Sequence, residues 1–270
     1  MNEEHKPRQR FLALDTSTAV LAAAVMSEES LVAESNTRAD RNHAVHVVQA
    51  LKDLMENNEV TKEDIAGIAV GIGPGSYTGV RIAVTAAKTL AWAWGVPVAA
   101  VSSLAALALG GLGAYVNETA SAEKPHGLPD KSGSRYWVVP LMDARRGQAY
   151  TALFEGEEVS SGLRRMEPDA IRLVDSWGDG ISSLLSKLHP SDAPEGILFV
   201  GDVEPHRQTL EKLQKVQPEV QIHLLSYEME GRYVGKLGAA RLLQGEQEDV
   251  HTLLPNYTQL AEAEANLLRK

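Results

Sequence analysis

The chain has 270 residues, 44% of them hydrophobic, and a formal net charge of −10 at pH 7. This length and apolar content can supply a core for one large or two small domains, and we expect two lobes. The absence of cysteine excludes disulfide frameworks, thiolate metal sites and cysteine nucleophiles, while the negative charge disfavours tight unaided binding to a phosphate backbone.

The N-terminal ten residues are charged and polar, and the apolar run that follows them is interrupted at Asp15. Such a run is too short for the core of a signal peptide. No stretch of the sequence reaches the apolar length that spans a bilayer. We therefore expect a cytoplasmic protein with no membrane partner.

The first half of the chain shows strand patterns followed by helix and strand patterns in alternation. Apolar periodicity and turn residues define each element. They predict strands over 11–16, 20–26 and 30–34, a helix over 43–58, a capped turn over 61–64, a strand over 67–72, a helix over 79–94 and a strand over 97–101.

From 110 to 135 the sequence is rich in Gly, Ser, Pro and charge and has no apolar period, which predicts a connecting loop or insertion, or a frayed helix end, between the lobes. Strands are predicted beyond it over 136–142, 148–154, 196–200 and 220–224, with helices over 180–188, 204–215 and 231–244. A meander followed by alternating strands and helices indicates an α/β fold with mixed sheets. The predicted divisions are an N-terminal lobe (1–110), a connecting segment (111–135) and a smaller C-terminal lobe with a tail (136–270).

A turn with one carboxylate and three hydroxyls, Asp15–Thr18, joins the first two predicted strands. Such a turn can direct backbone N–H groups at a phosphate and hold a magnesium-bound water. The first phosphate loop of the actin and sugar-kinase superfamily is a similar hairpin, although a glycine normally stands there at the place of Ser17. A plain Asx-type hairpin turn is the alternative.

A glycine-rich turn leads from a predicted strand into a helix within residues 71–82, GIGPGSYTGVRI. N–H groups at the helix start would face an anion, and the glycines would allow a close approach. The spacing matches neither a Rossmann fingerprint nor a Walker loop nor a serine-esterase elbow. The two turns together supply the candidate phosphate-facing residues, which are Asp15, Thr16, Ser17, Gly73, Gly75, Ser76 and Arg81.

As a whole string, GPGSYTGVRI resembles the signature of the TsaB (YeaZ) family. Further matches follow in the family's order: LDTST at 14–18, a helix opening with His43, VSSL at 101–104, MDARRGQAY at 142–150 and PNY at 255–257. The resemblance covers residues 11–112, the turn after Asp143 and the C-terminal tail, whereas 156–245 is generic.

The resemblance implies an actin-like ATPase (ASKHA, ribonuclease H-like) fold, with two lobes of mixed β-sheets flanked by helices. It also implies a role in tRNA threonylcarbamoyladenosine biosynthesis, in which the chain pairs with its catalytic paralogue TsaD and, in bacteria, with the ATPase TsaE. The complex transfers threonylcarbamoyl from its adenylate to the adenosine next to the anticodon. A metal-binding His-x-x-x-His motif marks the catalytic paralogue, and Ser103 and Leu107 stand at those places here. We therefore expect a non-catalytic scaffold or activator with no catalytic residues and no metal ligands.

The predicted helix 79–94 is apolar nearly all round and should be buried on more than one side. We predict that it and the amphipathic helix 43–58 pack against two equivalents from a partner, a four-helix contact. A wholly intramolecular core helix is the alternative. A homodimer is expected in isolation, with tRNA held through the complex and no intrinsic cofactor beyond ATP or ADP at the inter-subunit face. The predicted contact residues are His43, Val47, Leu51, Val80, Val84, Ala87 and Ala91.

Other readings of the sequence stay open. His43 and His46 would share a helix face as a metal pair, although polar surface is the simpler interpretation. The turn from Asp143 to Gly147 joins a carboxylate to two guanidiniums, which suits either a phosphate contact or an internal salt bridge.

Two enzyme classes compete with the scaffold interpretation. An ATP-dependent kinase or hydrolase of the same superfamily would need a second phosphate loop, for which Gly201-Asp202 is the candidate. A glycoprotease-like enzyme would need a nucleophile and base, and no Ser-His-Asp arrangement can be assembled from the sequence.

Overall fold

The computed structural model describes residues 9–28, 30–38, 43–121 and 134–258. Its contacts divide the chain into two units. Unit 1 comprises Met1–Ala106 and Met229–Asn256, and unit 2 comprises Leu107–Glu228 and Tyr257–Lys270.

Unit 1 is built on a five-stranded mixed sheet in the order β3-β2-β1-β4-β5. Strands β1 to β3 pair antiparallel, whereas β4 and β5 continue from β1 in parallel. The strands are β1 (Arg10–Asp15), β2 (Val20–Ser27), β3 (Ser30–Arg38), β4 (Ile65–Gly71) and β5 (Val98–Val101), and two of the helices are α1 (His43–Glu56) and α2 (Tyr77–Trp94). Both helices cover the sheet face that carries Leu12, Leu14 and Val70.

Unit 2 repeats this plan with the order β10-β9-β6-β7-β8. Its strands are β6 (Tyr136–Arg145), β7 (Gln148–Gly156), β8 (Arg164–Leu173), β9 (Gly196–Gly201) and β10 (Gln221–Ser226). The helices are α3 (Ser103–Ser121), which begins in unit 1, α4 (Val174–Leu185) and α5 (Arg207–Val216).

The two sheets share one topology, because adding five to each strand number of the first order yields the second order read from its other end. Each begins with a three-stranded meander and continues as helix, strand, helix, strand. The β6–β7 turn is therefore the counterpart of the β1–β2 turn, and the β9–α5 turn is the counterpart of the β4–α2 turn. This duplication was not visible in the sequence.

Helix α3 replaces the first part of the predicted connecting loop and agrees with the alternative of a helix end, because it runs through the glycine-rich sequence to Ser121. Leu109 and Leu112 on this helix are fully buried. A Cβ on Gly111 would lie 2.2 Å from Cγ1 of Val200, so the glycine permits close packing against β9. Judged by composition alone, the glycines that allow this close packing indicated irregular structure. Residues 122–133 lie outside the described residues.

Helix α6 (Gly231–Leu243) packs on unit 1, although the sequence placed it in the C-terminal lobe. A Cβ on Gly235 would lie 2.5 Å from Cγ of Met26, and one on Gly238 would lie 2.1 Å from Cβ of Ala69. The glycines therefore let the helix lie close to the sheet. It covers the face opposite α1 and α2, since successive strand side chains alternate between faces.

The remaining predicted strands and helices are present, with ends that shift by up to six residues, the largest shift being at the start of α4. Strand β8 was not predicted, because it is an edge strand that lacks a buried alternate face. The capped turn is a short 3₁₀ helix, Lys62–Asp64, with Thr61 as its N-cap. Among the described residues, no helix combines the length and apolarity needed to cross a membrane.

Candidate functional site

The carboxylate of Asp15 is buried at the end of β1. Its Oδ1 accepts hydrogen bonds from the backbone N and the Oγ of Ser17, both at 2.6 Å. Its Oδ2 accepts one from Oγ of Ser103 at 2.5 Å, and that hydroxyl accepts the N–H of Gly73 at 2.9 Å. A continuous network therefore joins the ends of β1, β4 and β5.

The two turns predicted to face phosphate touch each other directly. The backbone N of Ser76 donates to the carbonyl of Ser17 at 2.7 Å, and Oγ1 of Thr16 donates to the carbonyl of Gly79 at 2.6 Å. A Cβ on Gly79 would lie 1.9 Å from the carbonyl oxygen of Thr16. This close approach therefore requires glycine.

Three N–H groups of the expected phosphate cradle already have acceptors within the chain. Those of Gly73 and Ser76 bind Ser103 and Ser17, and that of Gly79 binds Oγ of Ser76 at 3.2 Å. A phosphate at these turns would compete with the existing contacts, so anion binding here stays a prediction. Asp15, Thr16, Ser17 and Gly73 are buried, Gly75 is half-buried, and Ser76 and Arg81 are exposed.

Burial raises the pKa of Asp15 above its ordinary value of 3.8, while the hydrogen bonds from Ser103 and Ser17 act in the opposite direction. Because the folded-state pKa is the higher one, the contribution to stability is fully present below the unfolded pKa and is lost as pH rises through the folded pKa. We expect Asp15→Asn, which cannot ionise, to lack this loss. Urea unfolding of both proteins between about pH 4 and about pH 8 tests this. A stability difference that does not change with pH would contradict it.

The predicted contact stripe lies in the core of unit 1. Each of its six described side chains is at most 3% exposed and packs in the apolar cluster under the sheet. These residues are Val47, Leu51, Val80, Val84, Ala87 and Ala91. A side chain that its own chain covers offers no surface to a second protein, which corrects the expectation that this stripe forms the docking face. The side chain of His43 lies outside the described residues.

The opposite side of α2 presents large exposed side chains at helical spacing. Tyr77 and Trp92 are 54% and 69% exposed, and Val48 on the neighbouring α1 is 58% exposed. Arg81 lies between them, and its Nη1 donates to the hydroxyl of Tyr77 at 3.0 Å. Exposed Trp, Tyr and Arg side chains are typical of interaction surfaces. We refer to this surface as the α1–α2 outer face, comprising Val48, Tyr77, Arg81, Thr85, Thr89 and Trp92.

The β6–β7 turn does not form the internal salt bridge that was one alternative. Oδ1 of Asp143 accepts the backbone N–H of Arg145 at 3.1 Å, and the backbone N of Asp143 donates to Oδ2 of Asp202 at 2.9 Å. Nε2 of His206 lies 3.4 Å from Asp143 Oδ1. The guanidiniums of Arg145 and Arg146 are exposed and contact none of the described carboxylates.

Ser103 has a structural role that the sequence did not indicate. It was noted only as the replacement for a metal-binding histidine, yet its hydroxyl bridges Asp15 and Gly73. Its place just after β5 was the available signal, because adjacent parallel strands end at the same edge of a sheet. Leu107, at the second histidine place, is buried. Among the described residues, no group of three or more His, Asp or Glu side chains is arranged to hold a metal ion.

Comparison with known sequences gives matches along most of the chain. A family model described as "TsaD: tRNA N6-adenosine threonylcarbamoyltransferase" matches residues 32–170. The tRNA threonylcarbamoyladenosine biosynthesis protein TsaB of Bacillus subtilis is 34% identical over 258 residues, which cover 94% of this chain and 96% of that protein. TsaB of Escherichia coli is 29% identical over 149 residues, covering 55% and 56% respectively.

Comparison with solved structures confirms the predicted α/β fold with mixed sheets. YeaZ from Pseudomonas aeruginosa superposes with a TM-score of 0.64 at 23% identity, covering 92% of this chain and 99% of that one. At this identity the likeness shows the fold alone.

Proposed function

The chain belongs to the TsaB family of tRNA threonylcarbamoyladenosine biosynthesis proteins, and on that premise we propose that it is a non-catalytic subunit of the tRNA-modifying complex. It supports transfer of threonylcarbamoyl to the adenosine next to the anticodon. Its partners are a TsaD-type catalytic subunit and a TsaE-type ATPase. The tRNA is bound mostly through the complex rather than by this chain alone. A cytoplasmic location accompanies this role.

The observation that carries the proposal is the use of Ser103 and Leu107 where the catalytic paralogue has metal-binding histidines. Neither side chain has the imidazole nitrogen that such a site requires. Ser103 is committed to the buried network with Asp15, and Leu107 to the core. These commitments favour a supporting subunit over a second catalytic one.

The same network favours a scaffold over the kinase or hydrolase alternative. A kinase or hydrolase active site at this turn would need a carboxylate free to hold a magnesium-bound water near the phosphates. Both oxygens of Asp15 already accept hydrogen bonds, and the side chain is fully covered. Any ATP or ADP is therefore proposed to bind at the inter-subunit face rather than at this turn.

The α1–α2 outer face is the proposed docking surface for the catalytic subunit. Trp, Tyr and Arg are the residue types most often found at interface hot spots, and this surface holds Trp92, Tyr77 and Arg81 within one helix. Before the catalytic subunit binds, the same surface would mediate the proposed homodimer, because an isologous contact pairs one patch with itself.

Reconstitution tests the proposed role. Purified catalytic subunit, ATPase, threonylcarbamoyl adenylate and an unmodified tRNA transcript are assayed with and without this chain. We expect modification of tRNA to depend on the chain, and the chain alone to give none. Transfer by the chain alone, or equal transfer without it, would refute the proposal. Calorimetric titration of the isolated chain with Mg-ATP addresses the alternative, since tight binding with turnover would indicate a kinase or hydrolase.

A further inference from the structure

The β6–β7 turn displays two guanidiniums with no partner in the described part of the chain. Every other described arginine makes an ion pair, a hydrogen bond or another interaction within the chain. The chain holds 36 acidic residues against 26 lysines and arginines. Acidic partners are therefore in excess, and two adjacent unpaired arginines, Arg145 and Arg146, stand out.

The backbone holds these arginines in an uncommon conformation. Arg145 and Arg146 have φ values of 66° and 55°, and Gly147 follows with 74°. The left-handed region favours Gly, Asn and Asp, and those residues dominate tight hairpin turns. The chain instead places two long cationic side chains there, which indicates that the side chains rather than the turn determine the residue choice.

Two hydrogen bonds also fix the position of the β6–β7 turn. The carbonyl of Gly147 accepts the N–H of Val174 at the start of α4 at 3.0 Å, and Oδ1 of Asp143 accepts the N–H of Arg145. The two cationic residues therefore project from a fixed hairpin. A fixed hairpin loses less conformational entropy when a ligand binds.

The counterpart turn in unit 1 shows a different arrangement. There the Asp15 carboxylate binds Ser17 and Ser103, and the carbonyl of Ser17 accepts the N–H of Ser76. That turn is closed by its own chain. The β6–β7 turn, in the same topological position of unit 2, leaves its charged groups exposed to solvent.

We propose that Arg145 and Arg146 bind phosphate groups of the tRNA backbone. The inference rests on the proposed function, because a role in tRNA modification brings the chain close to tRNA. The planar guanidinium donates paired hydrogen bonds to phosphate oxygens. The acidic neighbours Asp143 and Asp202 each accept a backbone N–H, which offsets part of their repulsion. An exposed hairpin tip suits an extended polyanion better than an enclosed nucleotide.

The test compares tRNA binding by two double variants in the reconstituted complex. The first is Arg145→Gln with Arg146→Gln. The control is Arg164→Gln with Arg165→Gln, which removes the same charge from adjacent arginines paired with Glu155 and Asp169. The control pair lies at the other end of β7. Affinity for an unmodified tRNA transcript is measured over a range of salt concentrations.

Loss of two phosphate contacts should lower the slope of log affinity against log salt by about 1.4 to 1.8, and weaken binding roughly tenfold at low salt. The control pair should leave the slope unchanged. An unchanged slope in the first variant overturns the inference. The inference is also overturned if this variant keeps the wild-type salt slope for tRNA but binds ATP or the catalytic subunit more weakly. The turn would then bind that ligand instead.

A second measurement separates this inference from the proposed function. At saturating tRNA, the Arg145→Gln, Arg146→Gln chain should still support threonylcarbamoyl transfer. Failure of the wild-type chain to support transfer would refute the proposed function instead. Arg146→Gly is a second variant that should keep the turn folded, because glycine favours the left-handed conformation. It removes one of the two guanidiniums. Its slope should fall by about half as much, and an unchanged slope would count against the inference.

Discussion

Trp92→Glu is expected to abolish both binding of the catalytic subunit and support of tRNA threonylcarbamoylation. Trp92 lies on the α1–α2 outer face and is 69% exposed, so the change should alter folding stability by less than about 0.5 kcal/mol. In a complex the new carboxylate would be desolvated without a partner. Removing a hot-spot aromatic in this way costs about 3 kcal/mol, which is roughly a hundredfold in affinity. Pull-down with the catalytic subunit and the transfer assay measure the two effects.

Val216→Glu is the matched control for Trp92→Glu. Val216 ends α5 in unit 2 and is 65% exposed, so it gains the same charge at a similarly solvated apolar position. Binding and transfer should both stay at the wild-type level. If Trp92→Glu behaves like this control, the α1–α2 outer face is not the docking surface. Val84→Glu cannot serve this purpose, because Val84 is 3% exposed and a buried carboxylate there would disrupt the fold.

Gly79→Ala is expected to lower the free energy of unfolding by about 3 to 4 kcal/mol, in the upper range for single substitutions. The added Cβ would lie 1.9 Å from the carbonyl oxygen of Thr16 and 3.2 Å from Cβ of Ser76. Backbone atoms cannot swing aside as a long side chain can, so the two turns must separate. Separation would also break the hydrogen bond between Thr16 and the carbonyl of Gly79. Urea unfolding measures the loss.

Gly178→Ala makes the same chemical change where the structure has room. Gly178 lies inside α4, and an added Cβ would meet no atom within 4 Å. Alanine should therefore stabilise this helix by up to about 1 kcal/mol, its advantage over glycine in helix propensity. We therefore expect Gly79→Ala to lower the free energy of unfolding and Gly178→Ala to raise it. A similar loss of stability in both variants would show that the close contact at Gly79 is not the cause of the destabilisation.

Local pattern predicted most elements of the fold, because each apolar periodicity arises within one strand or helix. Helix α2 illustrates this, since its apolar spacing predicts a helix over 79–94 and the structure has one over Tyr77–Trp94. Helix α3 escaped prediction because the need for Gly111 is apparent only from its contact with Val200, which lies far along the chain. The placement of α6 on unit 1 depends on contacts with Met26 and Ala69 and is equally non-local.

The candidate site was predicted in composition but not in arrangement. The glycine-rich turn and Asp15 were both identified, whereas their mutual contact and the role of Ser103 emerged only from the fold. The docking stripe was misplaced for a related reason. Apolar spacing showed that α2 has apolar residues on most sides, and it could not tell which of them face the helix's own sheet. Val84 faces the core, and Trp92 faces solvent.

Unit 1 receives its last helix from the end of the chain, and this affects the order of events during synthesis. The ribosome completes all of Leu107–Glu228 before it releases Met229–Asn256. Until then, Met26 and Ala69 lack the helix that covers them in the finished protein. A growing polypeptide therefore carries an uncovered apolar sheet face throughout translation of unit 2, a state prone to aggregation. A premature stop codon after Glu228 would damage the N-terminal half most, although it removes none of that half's strands.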